Sequence, residues 1–217
     1  MNIKIIHFIW YGKNMPENPY KWKMMNPDWE VMIWNRENMP KLINQRLFYI
    51  LSPVWDMQSD IARVEILYRY GGLYLDCDII PLRPLGNFFE EYGDLVGFYE
   101  NESIRPGLIC NAVMASIKHH PAWITLMEYY SKLDPSKRDT FVPGHMRCSS
   151  ITPYFIKANM QVLPSYYFYP EWWKTIVRDP KPEDYPNSFG FHLWAKPNNL
   201  FNWGKRKKSD LLEQIIK

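Results

Sequence analysis

A chain of 217 residues that is 47% hydrophobic and 23% charged is long enough to bury one substantial core and fits a globular domain. Its net charge of +3 is too small to mark a nucleic-acid-binding protein, and no stretch approaches the roughly 20 apolar residues of a membrane span. Three scattered cysteines, Cys77, Cys110 and Cys148, have neither zinc-site spacing nor the density of a disulfide framework. They read as reduced thiols, and the opening MNIKIIHFIW lacks the layout of a cleavable signal, so the expectation is a soluble, cytoplasmic protein. Aromatic residues make up 17% of the chain, which suits sugar or nucleobase stacking as well as a Trp-rich core.

Along the chain, the apolar run Lys4–Trp10 predicts a buried first strand, followed by a loop, a helix over Tyr20–Asn26 and a second strand over Asp28–Asn35. The segment QSDIARVEILYRYGG predicts the best-marked helix, with Ser59 or Asp60 as its cap, apolar positions Ile61, Val64 and Tyr68, and Gly71 and Gly72 at its end. A strand through LYLDCDII follows at once. Further strands are expected over Leu95–Tyr99 and Ile109–Ala115, then a helix from Pro121 to Leu133 with proline in its first turn. SSITPYFIKAN reads as a short helix, QVLPSYYFYP as an extended segment and FGFHLWA as a last strand. Strands alternating with helices predict an α/β fold on a largely parallel sheet. The closing GKRKKSDLLEQIIK is a basic cluster and a small amphipathic helix, suited to solvent or to an anionic membrane surface.

The chemistry concentrates in GGLYLDCDII. Successive side chains on a strand face opposite sides, so Asp76 and Asp78 should share a face while Cys77 points away. Two carboxylates in so apolar a setting need positive charge, and hard divalent ions take such ligands together with substrate phosphates. Alone, the pair also fits a solvated strand end. On the preceding helix Asp60 and Arg63, three residues apart, share one face, which can place a further acid and a cation beside the same pocket.

Together, SDIARVEILYRYGGLYLDCDIIPL closely resembles the DXD-containing sugar transferases, a group of mannosyltransferases, capsular polysaccharide transferases and, more distantly, glucosylating clostridial toxins. Their S-D-x-x-R, apolar helix and G-G-x-Y-x-D-x-D are all met. IIHFIWYG and NPDWEVMIWN are similar to the family's first two strands, CNAVMAS to the strand after the metal site, and PSYYFYP and FHLW to its C-terminal segments.

The resemblance implies a GT-A type nucleotide-diphospho-sugar transferase fold over residues 1–204, a single Rossmann-like mixed sheet flanked by helices, with 205–217 as a basic tail. It implies a retaining transfer of a hexose from a nucleotide-sugar, a UDP-sugar before a GDP-sugar, to a saccharide or glycolipid acceptor in surface polysaccharide synthesis. Mn²⁺, or else Mg²⁺, is the implied metal. Asp78 would be the direct ligand, Asp76 would act through water or hold the donor, and His192 would join them. Asp60 and Arg63 would position the donor sugar, Trp10 would stack on the nucleobase, Tyr74 would touch ribose or phosphate, and Trp194 would cover the leaving phosphate. Asn111 would lie near the sugar or acceptor, and Tyr169, Trp172 and Trp173 are candidate acceptor platforms. The family pattern H-H-W-x-x-S-W is not met by FHLWAKPNNLFNW, where Trp203 is the candidate for the later tryptophan. The basic tail would allow peripheral association with an inner membrane surface.

Two rivals stand beside this reading. LYLDCDII is also similar to the nucleophile strand of haloacid-dehalogenase-type phosphatases, with Asp76 as nucleophile, although Ile80 replaces the usual Thr or Val and the motif lies far from the N-terminus. A non-catalytic sugar-binding protein on the same fold is the other.

Overall fold

The computed structural model describes residues 3–52, 55–134, 148–177 and 179–194. The elements run β1 (Ile5–Ile9), α1 (Asn18–Met25), β2 (Glu30–Trp34), α2 (Gln45–Ile50), α3 (Trp55–Tyr70), β3 (Gly72–Leu75), β4 (Ile79–Pro81), α4 (Phe88–Tyr92), β5 (Leu95–Tyr99), β6 (Ile109–Ser116) and α5 (Pro121–Ser131). After these come α6 (Cys148–Lys157), β7 (Gln161–Leu163), a 3-10 turn (Ser165–Tyr167) and β8 (Gly190–His192).

Six strands form the main sheet in the order β2-β1-β3-β6-β5-β7. The expected parallel character holds for β2, β1 and β3 and for the β5–β7 pair, but β6 is antiparallel to both its neighbours. The sheet is therefore mixed. A second, two-stranded sheet pairs β4 with β8, so the single-sheet expectation is corrected.

Strand alternation divides the core into two layers. Tyr74, Leu95 and Met114 pack with α2, α3, α5 and α6 on one face of the sheet. Leu73, Leu75, Val96 and Phe98 pack on the other with Trp22, Phe88, Phe168, Tyr169 and Phe189. Aromatic side chains fill both layers, and in the second Phe98 and Phe168 meet edge-on at 4.7 Å.

Helix α3 begins at Trp55, earlier than a cap at Ser59 or Asp60 allows. Ser59 lies inside it, and its hydroxyl donates back to the Trp55 carbonyl at 2.8 Å. Its end follows expectation. Gly71 and Gly72 adopt φ of +66° and +99°, and a Cβ on Gly72 would stand 2.6 Å from the Ile5 carbonyl oxygen. The pair turns the chain directly from α3 into β3 between β1 and β6, which residues with a Cβ do not readily do.

The largest difference from the sequence reading is in GGLYLDCDII, which is two strands. β3 ends at Leu75, and the Asp76 N–H extends its ladder to the Ala112 carbonyl at 2.9 Å. The chain then turns, with the Ile79 N–H donating to the Asp76 carbonyl at 3.1 Å, and enters the second sheet as β4. Asp76 and Asp78 therefore lie at a turn beyond the carboxyl end of β3, and strand alternation does not bring them together.

Candidate active site

Side chains of α1 fix the turn from below. The Asn18 amide donates to the Cys77 carbonyl and the Trp22 indole N–H to the Ile79 carbonyl, each at 2.9 Å. Cys77 is buried, with its thiol against the Ile9 carbonyl at 3.3 Å, so it ties the turn to the end of β1. Sequence reasoning passed over Asn18 and Trp22; their spacing of four on one helix was the available signal.

Pairing of β4 with β8 sets Ile79 opposite His192, and the Leu193 N–H donates to the Asp78 carbonyl at 3.0 Å. As a result the His192 Nε2 lies 3.1 Å from Asp78 Oδ1. One ligand atom from each of Asp76, Asp78 and His192 lies within 4.8 Å of the others. Burial pushes the His192 imidazole pKa down, but Asp78, Asp76 and Glu100 outweigh it and raise the value above 6.5. A site that draws a proton onto a buried histidine has an excess of negative charge. Two carboxylates and an imidazole within one ion's reach fit a divalent cation.

Arg63 is the hinge of the acidic cluster. Its Nη2 lies 3.1 Å from Asp60 Oδ1 and 3.4 Å from Asp76 Oδ1, its Nη1 donates to the Asn111 carbonyl at 2.7 Å, and its Nε donates to the Ser59 carbonyl at 3.2 Å. The guanidinium carbon sits over the Tyr74 ring, 4.7 Å from its centre. Burial opposes its charge, but Asp76, Tyr74 and Asp60 hold its pKa well above the ordinary value. So deeply buried and so fully engaged, Arg63 fixes two carboxylates of the site in place.

Tyr74 supports Asp76: it is 1% exposed, and its hydroxyl donates to Asp76 Oδ1 at 2.7 Å. Burial raises its pKa well above the usual phenol value, which keeps the donor proton in place. Asn111 joins the same network: its Nδ2 donates to Asp60 Oδ1 at 3.0 Å, and its Oδ1 accepts from the Cys148 thiol at 3.2 Å.

Trp194 packs against the His192 ring at a tilt of 49° with centroids 4.1 Å apart, and its indole N–H donates to the Glu171 carbonyl at 3.3 Å. The chain reaches this position with a φ of +52° at Trp194, beyond the last residue of β8. Tyr169 packs edge-on against His192, also meets Trp194 at 5.8 Å, and is 1% exposed, so it cannot be an acceptor platform. Trp172 and Trp173 are half-buried neighbours at 5.9 Å, with Trp172 against Trp194. Trp10 is half-buried at the end of β1, its backbone N–H donating to the Trp34 carbonyl, one residue from the Ile9 carbonyl that Cys77 meets. Trp203 and the basic tail lie outside the described residues.

The arrangement is thus a candidate cation site beyond a strand end, with a partly buried Asp60–Arg63–Asn111 cluster beside it. Residues 13–95, which contain Asp60, Arg63, Asp76 and Asp78, match the family described as the glycosyltransferase sugar-binding region containing DXD motif. Over these residues the chain is similar to the DXD-containing sugar transferases. Among the proteins to which the chain is similar, inositol phosphoceramide mannosyltransferase 3 of Schizosaccharomyces pombe is 29% identical over 56% of this chain and 28% of its own. The human lactosylceramide 4-alpha-galactosyltransferase is 24% identical over 64% of this chain and 41% of its own. The chain therefore matches well under half the length of either relative. Of solved structures, the PaToxG glycosyltransferase superposes with a TM-score of 0.58 at 16% identity, covering 71% of this chain and 69% of that one. That likeness shows a fold of GT-A type for this chain.

Proposed function

We propose that this chain is a metal-dependent, retaining glycosyltransferase that moves a hexose from a UDP-sugar to the head group of a glycolipid. The observation that carries the reading is the convergence of Asp76, Asp78 and His192 within 4.8 Å beside the Asp60–Arg63 pair. Both relatives described above are named for glycolipid acceptors, although their names specify different sugars. The acceptor class is therefore better supported than the donor sugar.

Asp78 and His192 are the direct ligands in this reading. Asp76, whose Oδ1 already accepts from Tyr74 and faces Arg63, acts through water. An imidazole among the ligands favours Mn²⁺ over Mg²⁺, which prefers an all-oxygen octahedral shell. When bound, the cation neutralises the donor diphosphate and stabilises it as a leaving group. Asp60, oriented by Arg63 and Asn111, accepts hydroxyls of the donor sugar, and Trp194 shields the diphosphate side of the site from water. The bond from the anomeric carbon to the phosphate oxygen breaks as the acceptor oxygen bonds to the same face, and its proton passes to the leaving phosphate. The basic cluster Lys205–Lys208 serves this reading as an anchor to the anionic, cytoplasmic face of a membrane carrying the acceptor.

Purified protein with Mn²⁺ is expected to release UDP from a UDP-hexose when given a glycolipid acceptor, and the product linkage should keep the donor's anomeric configuration by NMR. Hydrolysis of simple phosphomonoesters by wild type but not Asp76→Asn would favour the phosphatase rival instead.

A further inference from the structure

Two of the chain's three thiols meet beside Asn111. Cys110 precedes Asn111 on β6 and is 3% exposed, while Cys148 opens α6 and is half-buried. Thr152 joins the two elements: its hydroxyl donates to the Cys148 carbonyl at 2.7 Å and accepts from the Ile109 N–H at 3.1 Å. That clasp sets the Cys148 sulfur against both Cys110 and Asn111. The Cys110 thiol and the Asn111 backbone N–H donate to the Cys148 sulfur, and the Cys148 thiol itself donates to Asn111 Oδ1 at 3.2 Å.

The pair is polarised. The bond between the thiols keeps Cys110 protonated, well above the usual thiol pKa, and draws Cys148 below it. The N-terminal turn of α6 also favours negative charge at Cys148. Thiolate is the reactive form of cysteine, and oxidisable cysteines combine it with access to solvent and a second thiol close by. Cys77 is the internal contrast: it is buried, it bonds to the Ile9 carbonyl at 3.3 Å, and burial raises its pKa well above the usual value.

We propose that Cys148 and Cys110 are a hydroperoxide-sensitive pair that closes into a disulfide and switches the neighbouring site off. The Cys148 thiolate attacks one peroxide oxygen and the O–O bond breaks. Cys148 becomes a sulfenic acid, and the hydroxide released takes up the proton that the thiol gave away. The Cys110 sulfur then attacks the Cys148 sulfur, the S–O bond breaks, and the hydroxyl leaves with the Cys110 proton as a second water. Two thiols and one hydrogen peroxide thus give one disulfide and two waters. Oxidation also removes the proton that Cys148 donates to Asn111 Oδ1, which loosens the amide whose Nδ2 holds Asp60 Oδ1 at 3.0 Å. The loss of activity rests on the nucleotide-sugar reading above; the thiol chemistry does not.

The test treats the full chain with hydrogen peroxide and a chelator and maps its thiols by mass spectrometry. Mn²⁺ is then restored and UDP release from a UDP-hexose is followed with the glycolipid acceptor. Wild type should lose two hydrogens as a Cys110–Cys148 disulfide, keep Cys77 reduced and turn over about tenfold more slowly. Dithiothreitol should restore the rate, which separates thiol oxidation from methionine sulfoxide. Cys110→Ser should stop at a sulfenic acid on Cys148, trapped by dimedone, and the rate of Cys148→Ser should change by less than about twofold on peroxide treatment. Absence of the Cys110–Cys148 disulfide in wild type, or oxidation of Cys77 ahead of Cys148, would overturn the proposal and leave the transferase reading intact. A disulfide that forms without slowing UDP release would overturn the switch. Reduced protein that releases no UDP would overturn the transferase reading instead, and the thiol map would still decide the pair.

Discussion

Asp78 and His192 are separated by 114 positions, yet their Oδ1 and Nε2 atoms stand 3.1 Å apart because β4 and β8 pair in register beside them. Their contact makes the last described strand part of the candidate metal site. His192→Ala is expected to weaken Mn²⁺ binding about 10–100-fold, read by calorimetry or by the EPR signal of free Mn²⁺. Retention of wild-type affinity would remove His192 from the ligand set.

Arg63 is expected to matter for folding as well as activity. Arg63→Met leaves Asp60 and Asp76 without the cation they share and should cost about 3 kcal/mol in urea unfolding. The estimate sits at the low end for a broken buried pair because the Asp60 and Asp76 side chains are 21% and 28% exposed. Arg63→Lys should recover part of this stability and little of the activity, since a point charge cannot hold both carboxylates and the Asn111 carbonyl at once. Full activity in Arg63→Lys would contradict the clamp.

The turn from α3 into β3 gives a third prediction. Gly72→Ala combines a positive φ with a Cβ 2.6 Å from the Ile5 oxygen, and a loss of about 2–3 kcal/mol is expected. Gly107 also has a positive φ, of +76°, but nothing lies within 4 Å of a Cβ there. Gly107→Ala should therefore cost about 1 kcal/mol, the conformational part alone. Equal thermal shifts for the two variants would show that the close approach to β1 is not what requires glycine.

His7 makes stability depend on pH. Buried beside Gly71, it has a pKa lowered from 6.5 to about 4 by desolvation, partly offset by its bond to the Gly71 carbonyl at 2.7 Å. Its Nδ1 accepts from the Trp34 indole at 3.2 Å, so the neutral form is the one the fold accommodates. Above pH 6.5 both folded and unfolded states hold it neutral and nothing is lost. As pH falls from 6.5 toward 4 the unfolded chain binds the proton first, and its share of stability drops by up to about 3 kcal/mol. Unfolding free energies at pH 7 and 5 should differ by more in wild type than in His7→Gln; a matching difference would rule His7 out as the cause.

The sequence alone determined the chemistry of this protein. An S-D-x-x-R within an apolar helix, two glycines at its end, and two acids around one residue suffice to show the resemblance to DXD-containing sugar transferases, because each residue type has a local reason to be there. The glycines are needed for positive φ, and the acids for a cation. The strands β1, β2, β5 and β6 were also legible, since burial on one or both faces leaves a pattern within a few residues. What the sequence could not show was which atoms meet. Asp76 and Asp78 converge through a turn between two sheets. Tyr74 and Arg63 look available to a ligand in the motif but are committed to Asp76 and Asp60. His192 enters the site only through pairing across the chain. Such contacts depend on distances between segments far apart in the chain, and local periodicity carries no record of them.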